Sequence, residues 1–106
     1  MKQVLRSPGP RPDIAFFLND HMAFGGMMTC KAAGLSVPGD IGIVGFNQLG
    51  LTAVLPVGLT TVRTPRREIG VLGARNLLAR IKGVTTDRTV ALPVTVIAGE
   101  TTCRQG

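Results

Sequence analysis

The chain has 106 residues and a mass of 11.1 kDa, enough for one compact domain and too little for two. Hydrophobic residues make up 44% of it, charged residues only 17%, and the mean hydropathy is +0.30, which excludes a disordered chain. The formal net charge is +6, but most cations are scattered, and no aromatic residue accompanies the tightest group, at Arg63, Arg66 and Arg67. We interpret this charge as a solvated basic face.

The cysteines and the distribution of apolar residues indicate in which compartment the protein works and whether it holds a metal or a cofactor. Cys30 and Cys103 occur without a CxxC pair or a histidine at metal-ligand spacing, so the sequence indicates neither a zinc site nor a disulfide framework. Neither GxGxxG nor a Walker A loop occurs. No apolar run approaches the ~18 residues of a membrane span, and the basic start is not followed by the apolar stretch of an export signal. We expect a cytoplasmic protein without metal, cofactor or membrane contact.

The first half of the chain predicts a strand, a helix and a second strand. Residues 1–11 contain two of the seven prolines, with a third following at once, and predict an unstructured arm. The continuous apolar run Ile14–Leu18 is typical of a strand buried on both faces of a parallel sheet. Asn19 or Asp20 then caps a helix to about Ala33, with Gly34 in the left-handed position after it. The run Ile41–Phe46 predicts the second strand and completes a βαβ unit.

The first helix is apolar on nearly every side. Lys31 carries its only full charge apart from the start, and Met, Ala, Phe and Cys side chains point in all directions around the axis. Because a sheet can cover only one flank, we expect another subunit or further chain to cover the rest.

The second half predicts one strand, one helix and a bent tail. Leu59–Arg63 is a short β-branched strand, and Thr64 followed by Pro65 begins a helix, with Thr64 as its N-cap, that Gly83 ends. The segment from Arg88 to Gly99 predicts two short strands or one bent strand about Pro93. The expected fold class is therefore α/β, a parallel sheet flanked by helices.

Catalytic constellations are not evident. His21 is the one histidine, and it lies in the first turn of a helix, while the six carboxylates show no spacing that commits two of them to one site. We therefore predict that the chain is not an enzyme and has no catalytic residues.

Polar residues do follow each predicted strand, and ligands of open α/β sheets bind at that edge. These are Asn19–Asp20 after the first strand, Asn47–Gln48 after the second and Thr64–Arg67 after the third. Each alone is more simply a helix cap or a turn residue. Together they predict a site for a small polar ligand.

Four segments carry a family resemblance: PDIAFFLNDHMAFGGM, GLSVPGDIGIVGFN, LTTVRTPRREIG and ALPVTVIAGETT. In this order and spacing they resemble the lactose/galactose repressor (LacI/GalR) family, and the third segment is most similar to its gluconate-type branch. The resemblance implies an incomplete type I periplasmic-binding-protein fold, with the C-terminal subdomain of the effector-binding domain at residues 12–102, the arm at 1–11 and a tail at 103–106.

The implied function is effector sensing in a DNA-binding transcriptional regulator. The effector would be a sugar or a sugar acid such as gluconate, and DNA would be bound only through a helix-turn-helix that this chain does not contain. We therefore expect a truncated gene product or a fragment. The alternative is a stand-alone sugar receptor of the periplasmic type, which the missing signal segment and the unpaired cysteines disfavour.

The resemblance also implies site residues. Asn19 falls on the family's effector-contacting asparagine, and Asn47 falls where the family usually has an acid that grips sugar hydroxyls. An uncharged amide there removes repulsion from an anionic ligand. Thr64 and Arg66, at the start of the second helix, complete the predicted effector site, with Arg66 meeting a carboxylate. A second departure is Gly99, where the family commonly has arginine.

A homodimer is the last expectation. The family's dimer contacts map to the first helix and to the loop that follows the second strand. The residues assigned to this interface are Phe24, Met27, Met28, Val54 and Leu55.

Overall fold

A computed structural model describes residues 1–102 of the chain. The predicted tail at 103–106, with Cys103, lies outside the described residues. The described part divides into two compact units, residues 1–63 with 96–102 and residues 64–95. None of the helices in this part of the chain has the length and apolar character needed to span a bilayer.

The first unit contains the parallel sheet. Strand β1 (Ile14–Phe16) pairs with β2 (Gly42–Val44) in parallel, and helix α2 (Asp20–Ala32) connects them. A parallel bridge joins Val44 to Thr60, just before β3 (Thr61–Arg63), and β3 pairs with β4 (Thr95–Ile97). A 3₁₀ turn at Gly50–Ala53 lies in the loop after β2. The predicted βαβ unit and parallel α/β architecture are confirmed.

The core of this unit lies between α2 and β2. Helix α2 buries Ala23, Met27 and Cys30, which recur at the four- and three-residue spacing of one helix face. They pack against Ile41, Ile43 and Leu59, and the half-buried side chains of Ala15 and Phe17 add to this cluster from β1 and the residue after it.

One prediction about β1 is wrong within the described chain. The apolar run was expected to be buried on both faces, yet Ile14, Phe16 and Leu18 are 55%, 58% and 74% exposed. These residues alternate along the strand and so share one face, while α2 covers only the opposite face. The run therefore has the apolar composition of a strand that is buried on both faces, but within residues 1–102 only one of its faces is covered, by α2.

The ends of α2 follow the predicted chemistry. Asn19 is the N-cap, and its side-chain oxygen accepts a hydrogen bond from the Met22 amide at 2.9 Å. At the other end Gly34 has φ of +73°, and the Leu35 amide donates to the Cys30 carbonyl at 2.9 Å. This pair of features closes the last turn in a Schellman motif.

The amino-terminal segment also differs from expectation. Residues 1–11 were predicted to hold no regular element, but Lys2–Arg6 forms the five-residue helix α1. The prolines begin only at Pro8, so the first six residues carry neither a proline nor a glycine to interrupt a turn. The Ser7 hydroxyl donates to the Gln3 carbonyl at 2.8 Å at the end of this helix.

The second unit contains helix α3 (Arg66–Ile81), which ends before Gly83 at φ of +76°. The prediction of Thr64 as its N-cap is wrong, because Pro65 occupies that position and the Arg66 amide donates to the Thr64 carbonyl at 2.9 Å. No α3 side chain is buried, and the apolar stripe that includes Leu77 and Leu78 is exposed. In the segment from Arg88 to Gly99, which was predicted to form two short strands or one bent strand, only the part after Pro93 contains a strand, β4.

Candidate functional site

The predicted site residue Asn19 lies at the junction of β1 and α2. Its side-chain oxygen is committed to the Met22 amide at 2.9 Å, which leaves its amino group as the part that a ligand can meet. Asn19 is half-buried. The cap and a ligand contact are therefore compatible, because they use different atoms of one side chain.

The second predicted residue, Asn47, lies in a left-handed turn after β2. Asn47 has φ of +86° and Gln48 has φ of +47°, a region that residues other than glycine seldom occupy. The Asn47 amide donates to the Val62 carbonyl at 2.8 Å, so the turn is fastened to β3 from its first residue. The turn lies at the carboxyl end of a parallel strand, the edge at which open α/β sheets bind their ligands.

Asp20 connects these two parts of the first unit. Its side chain is fully buried, and its carboxylate accepts one hydrogen bond from the Leu49 amide at 2.5 Å and one from the Thr61 hydroxyl at 2.6 Å. The chain at Gly45 passes so close that a Cβ there would overlap Asp20 Oδ1. Asn19 directly precedes Asp20 in the chain, and Asn47 lies two residues before Leu49. Through its hydrogen bonds to Leu49 and Thr61, Asp20 therefore connects the two segments that carry the asparagines.

Nothing in the local sequence separates Asp20 from an ordinary helix start. An acidic residue in the first turn of a helix is favoured by the helix dipole wherever it occurs. The distinguishing contacts are to Leu49 and Thr61, which are 29 and 41 residues away along the chain. Only the fold brings them together.

The other two predicted site residues belong to the second unit. Thr64 is half-buried, and Arg66 is the exposed first residue of α3. Glu68, in the same first turn, offers the negative charge that this helix end favours, whereas Arg66 and Arg67 are cations at the end where the dipole disfavours them.

Buried hydrogen bonds of the Thr101 side chain join β2 to the residue that precedes β3. The Thr101 hydroxyl donates to the Ile43 carbonyl at 2.7 Å and accepts from the Thr60 amide at 2.9 Å. The chain at Gly99 passes so closely to Gly58 that a Cβ at position 99 would overlap the Gly58 carbonyl oxygen. This contact explains the glycine, because arginine would not fit here without a backbone shift.

The residues predicted for a dimer interface occupy one side of α2 and the loop beyond it. Phe24, Met27, Met28 and Leu55 line an open groove of about 210 Å³, together with Leu35 and Val57. Met27 is largely buried in the core beneath it. Val54 is 76% exposed and is not one of the groove-lining residues.

The thiol of Cys30 is fully buried in the core of the first unit. Burial is the main cause that raises the pKa of Cys30 above its ordinary value, against smaller opposing effects of the N-terminal ammonium and Arg11. A protonated, buried thiol is neither a good nucleophile nor a metal ligand. Within residues 1–102, no three His, Cys, Asp or Glu residues gather in a group that could hold a metal ion.

The fold is that of a periplasmic-binding-protein-like domain. The chain belongs to the family of periplasmic binding protein-like domains, whose model matches residues 1–102. Within this group it is of the LacI/GalR type, as its four motifs predicted, because the relatives that it matches are transcriptional repressors and regulators of that kind.

Three relatives show the extent of the match. The chain is 42% identical over 81 residues to the probable repressor ExuR of Bacillus subtilis, covering 76% of this chain and 24% of the relative. It is 42% identical over 74 residues to the regulator GntR of Escherichia coli K12, covering 70% of this chain and 22% of the relative. It is 38% identical over 87 residues to the lactose operon repressor of Rhizobium radiobacter, covering 82% and 77%. The ExuR and GntR matches support the predicted gluconate-type branch.

Solved structures agree. A LacI family regulator from Bifidobacterium animalis subsp. lactis superposes with a TM-score of 0.87 at 26% identity, covering 95% of this chain and 37% of that one. The lac repressor dimer bound to operator and the anti-inducer ONPF gives 0.80 at 30%, covering 88% and 32%. A LacI family regulator from Enterococcus faecium with bound ribose gives 0.79 at 30%, covering 95% and 37%.

The chain spans about a quarter of the length of ExuR and GntR and about a third of these solved chains. It is therefore part of an effector-binding domain. Because ExuR, GntR and the lactose operon repressor are all transcriptional repressors or regulators, they favour the regulator over the stand-alone receptor.

Proposed function

We propose that this chain senses a sugar acid for a LacI-type repressor and that Asn47 is the residue that adapts the site to an anion. The observation that carries the proposal is an uncharged amide in the left-handed turn at the carboxyl end of β2. A carboxylate at this position would repel an anionic effector, whereas an amide can both donate to it and accept from it. The regulator acts on DNA in the cytoplasm and performs no chemical step on its effector.

Asn19 supplies the second contact in this proposal. Because its oxygen is used by the Met22 amide, its amino group is the side that donates to an effector hydroxyl or carboxylate oxygen. The N-terminus of α2 adds a favourable dipole for an anion at the same place.

From the second unit taken by itself, we propose that Arg66 binds a carboxylate of the effector. The first helical position of α3 is an unfavourable place for a cation unless an anion is bound nearby, and Arg66 is exposed there. A guanidinium contributes a bidentate, charge-assisted pair worth about 1.5–3 kcal/mol.

Calorimetric titration with D-gluconate and D-glucose tests the proposal. We expect Arg66→Ala to weaken gluconate binding by roughly tenfold, equivalent to ~1.4 kcal/mol, with little effect on glucose. Asn47→Asp should weaken gluconate selectively in the same direction, since it restores the repelling charge. Arg67→Ala is the matched control, because it removes an adjacent exposed cation. Equal losses for both ligands, or a loss as large in the control, would contradict the assignment.

We further propose that the groove beside α2 is the dimer interface. Phe24, Met28 and Leu55 present an apolar surface there that a single copy leaves in contact with water. The lac repressor, whose structure superposes on this chain, is a dimer. Two copies that bury this groove against each other would cover it.

A further inference from the structure

The turn after β2 uses three consecutive backbone amides. The Asn47 amide donates to the Val62 carbonyl at 2.8 Å, the Gln48 amide to the Thr61 hydroxyl at 3.4 Å and the Leu49 amide to the Asp20 carboxylate at 2.5 Å. Two of these acceptors belong to β3. The third comes from α2, and it therefore fixes the turn from the opposite side.

The conformation of the turn requires such fixing. Asn47 and Gln48 both have positive φ, and a pair of adjacent non-glycine residues in this region persists only where the surroundings over-determine it. Asparagine tolerates this region better than glutamine does. The hydrogen bonds on either side of Gln48 are therefore what keeps the turn in its observed form.

Asp20 is suited to this task by its two oxygens. Both of its partners, the Leu49 amide and the Thr61 hydroxyl, donate to it, and a carboxylate accepts from two donors at once. An asparagine in its place would offer one acceptor and one donor, so it could not keep both contacts as they stand. No side chain of similar size other than a carboxylate satisfies this arrangement.

We propose that Asp20 is a positioning residue for the effector site: its carboxylate locks the left-handed turn and thereby fixes the direction in which Asn47 faces the ligand. The consequence for binding rests on the proposed function, whereas the lock itself does not. Asp20 is fully buried and takes no part in ligand contact. Its effect on affinity passes entirely through Leu49 and Thr61.

Hydrogen exchange by NMR on the full 106-residue chain tests the lock without a ligand. Asp20→Asn should reduce protection of the Leu49 and Gln48 amides at least tenfold. The Ile43 amide, which donates to the Thr101 carbonyl at 2.9 Å, should keep its protection. Asp87→Asn, at an exposed carboxylate in the second unit, is the control for charge and should leave the turn unchanged. An equal loss at Ile43 would show a merely structural role and overturn the proposal.

Variants of Thr61 keep the test decisive if Asp20→Asn does not fold. Thr61→Val removes the hydroxyl that joins Asp20 to Gln48, so it should release the turn. Thr61→Ser retains the hydroxyl, so the Gln48 and Leu49 amides should keep the protection that they have in the wild type. Identical exchange in these two variants would contradict the proposal.

Titration with D-gluconate then tests the consequence. Asp20→Asn should raise the Kd at least tenfold, although no contacting atom is changed. An unchanged Kd with a released turn would overturn the positioning role. If gluconate fails to bind the wild type, the proposed function fails instead, and the lock is then judged on whether Asn47 and Gln48 lose their positive φ, measured by NMR couplings and chemical shifts, in Asp20→Asn.

Discussion

Replacing Thr101 with valine removes one hydroxyl that pairs with two buried backbone groups. The Ile43 carbonyl loses its donor at 2.7 Å, and the Thr60 amide loses its acceptor at 2.9 Å. Each unpaired buried group costs about 1–3 kcal/mol. The added methyl group offsets about 0.8 kcal/mol. We therefore expect Thr101→Val to lower the free energy of unfolding by about 1–5 kcal/mol.

Urea denaturation followed by circular dichroism measures this change. In a matching thermal melt, with about 4–8 °C per kcal/mol for a domain of this size, the melting temperature should fall by at least about 4 °C. Thr101→Ser keeps the hydroxyl and should lose much less. Thr29→Val is the second control, because the Thr29 hydroxyl donates at 2.9 Å to the Gly25 carbonyl within the same helix. A loss below about 0.5 kcal/mol for Thr101→Val, within the range of surface substitutions, would refute the reasoning.

Three further predictions concern binding, assembly and pH. The chain should not bind operator DNA with sequence preference, any binding should be lost as the salt concentration rises, and a gel-shift preference that survives moderate salt would contradict this. Phe24→Asp should shift sedimentation toward the monomer, whereas Val84→Asp, at an exposed position of the second unit, should not; a clean monomer in the wild type at high concentration would count against the interface. Burial raises the pKa of Cys30, so the unfolded state loses its thiol proton first and stability falls as the pH rises above ~8.5. Cys30→Ala should flatten this slope in denaturation measurements, and an unchanged slope would argue against a buried, protonated thiol.

The sequence predicted those structural features well that depend only on a few neighbouring residues. The Gly34 signal at the end of α2 depends on a few neighbouring residues, and the structure has it as predicted. The apolar run at β1 was correctly predicted to be a strand. Its burial, however, depends on which elements cover each face, and nothing in residues 14–18 specifies those elements. The exposed face formed by Ile14, Phe16 and Leu18 is the result.

The candidate site was predictable in part. Asn19 and Asn47 could be named because they follow strands whose carboxyl ends share one edge of a sheet. The left-handed conformation of Asn47 and Gln48 could not, since it is imposed by contacts from β3 and α2. Asp20 shows the same limit most clearly, because its role depends on partners far away in the sequence.

The central claim, that this chain contributes to a site for a sugar acid, is tested most directly by NMR titration of the wild-type chain with D-gluconate against D-glucose. We predict that gluconate shifts the side-chain amide signals of Asn19 and Asn47 in a saturable way, and that glucose at equal concentration shifts them far less. Absence of saturable shifts with gluconate, or equal shifts with both sugars, would contradict the account.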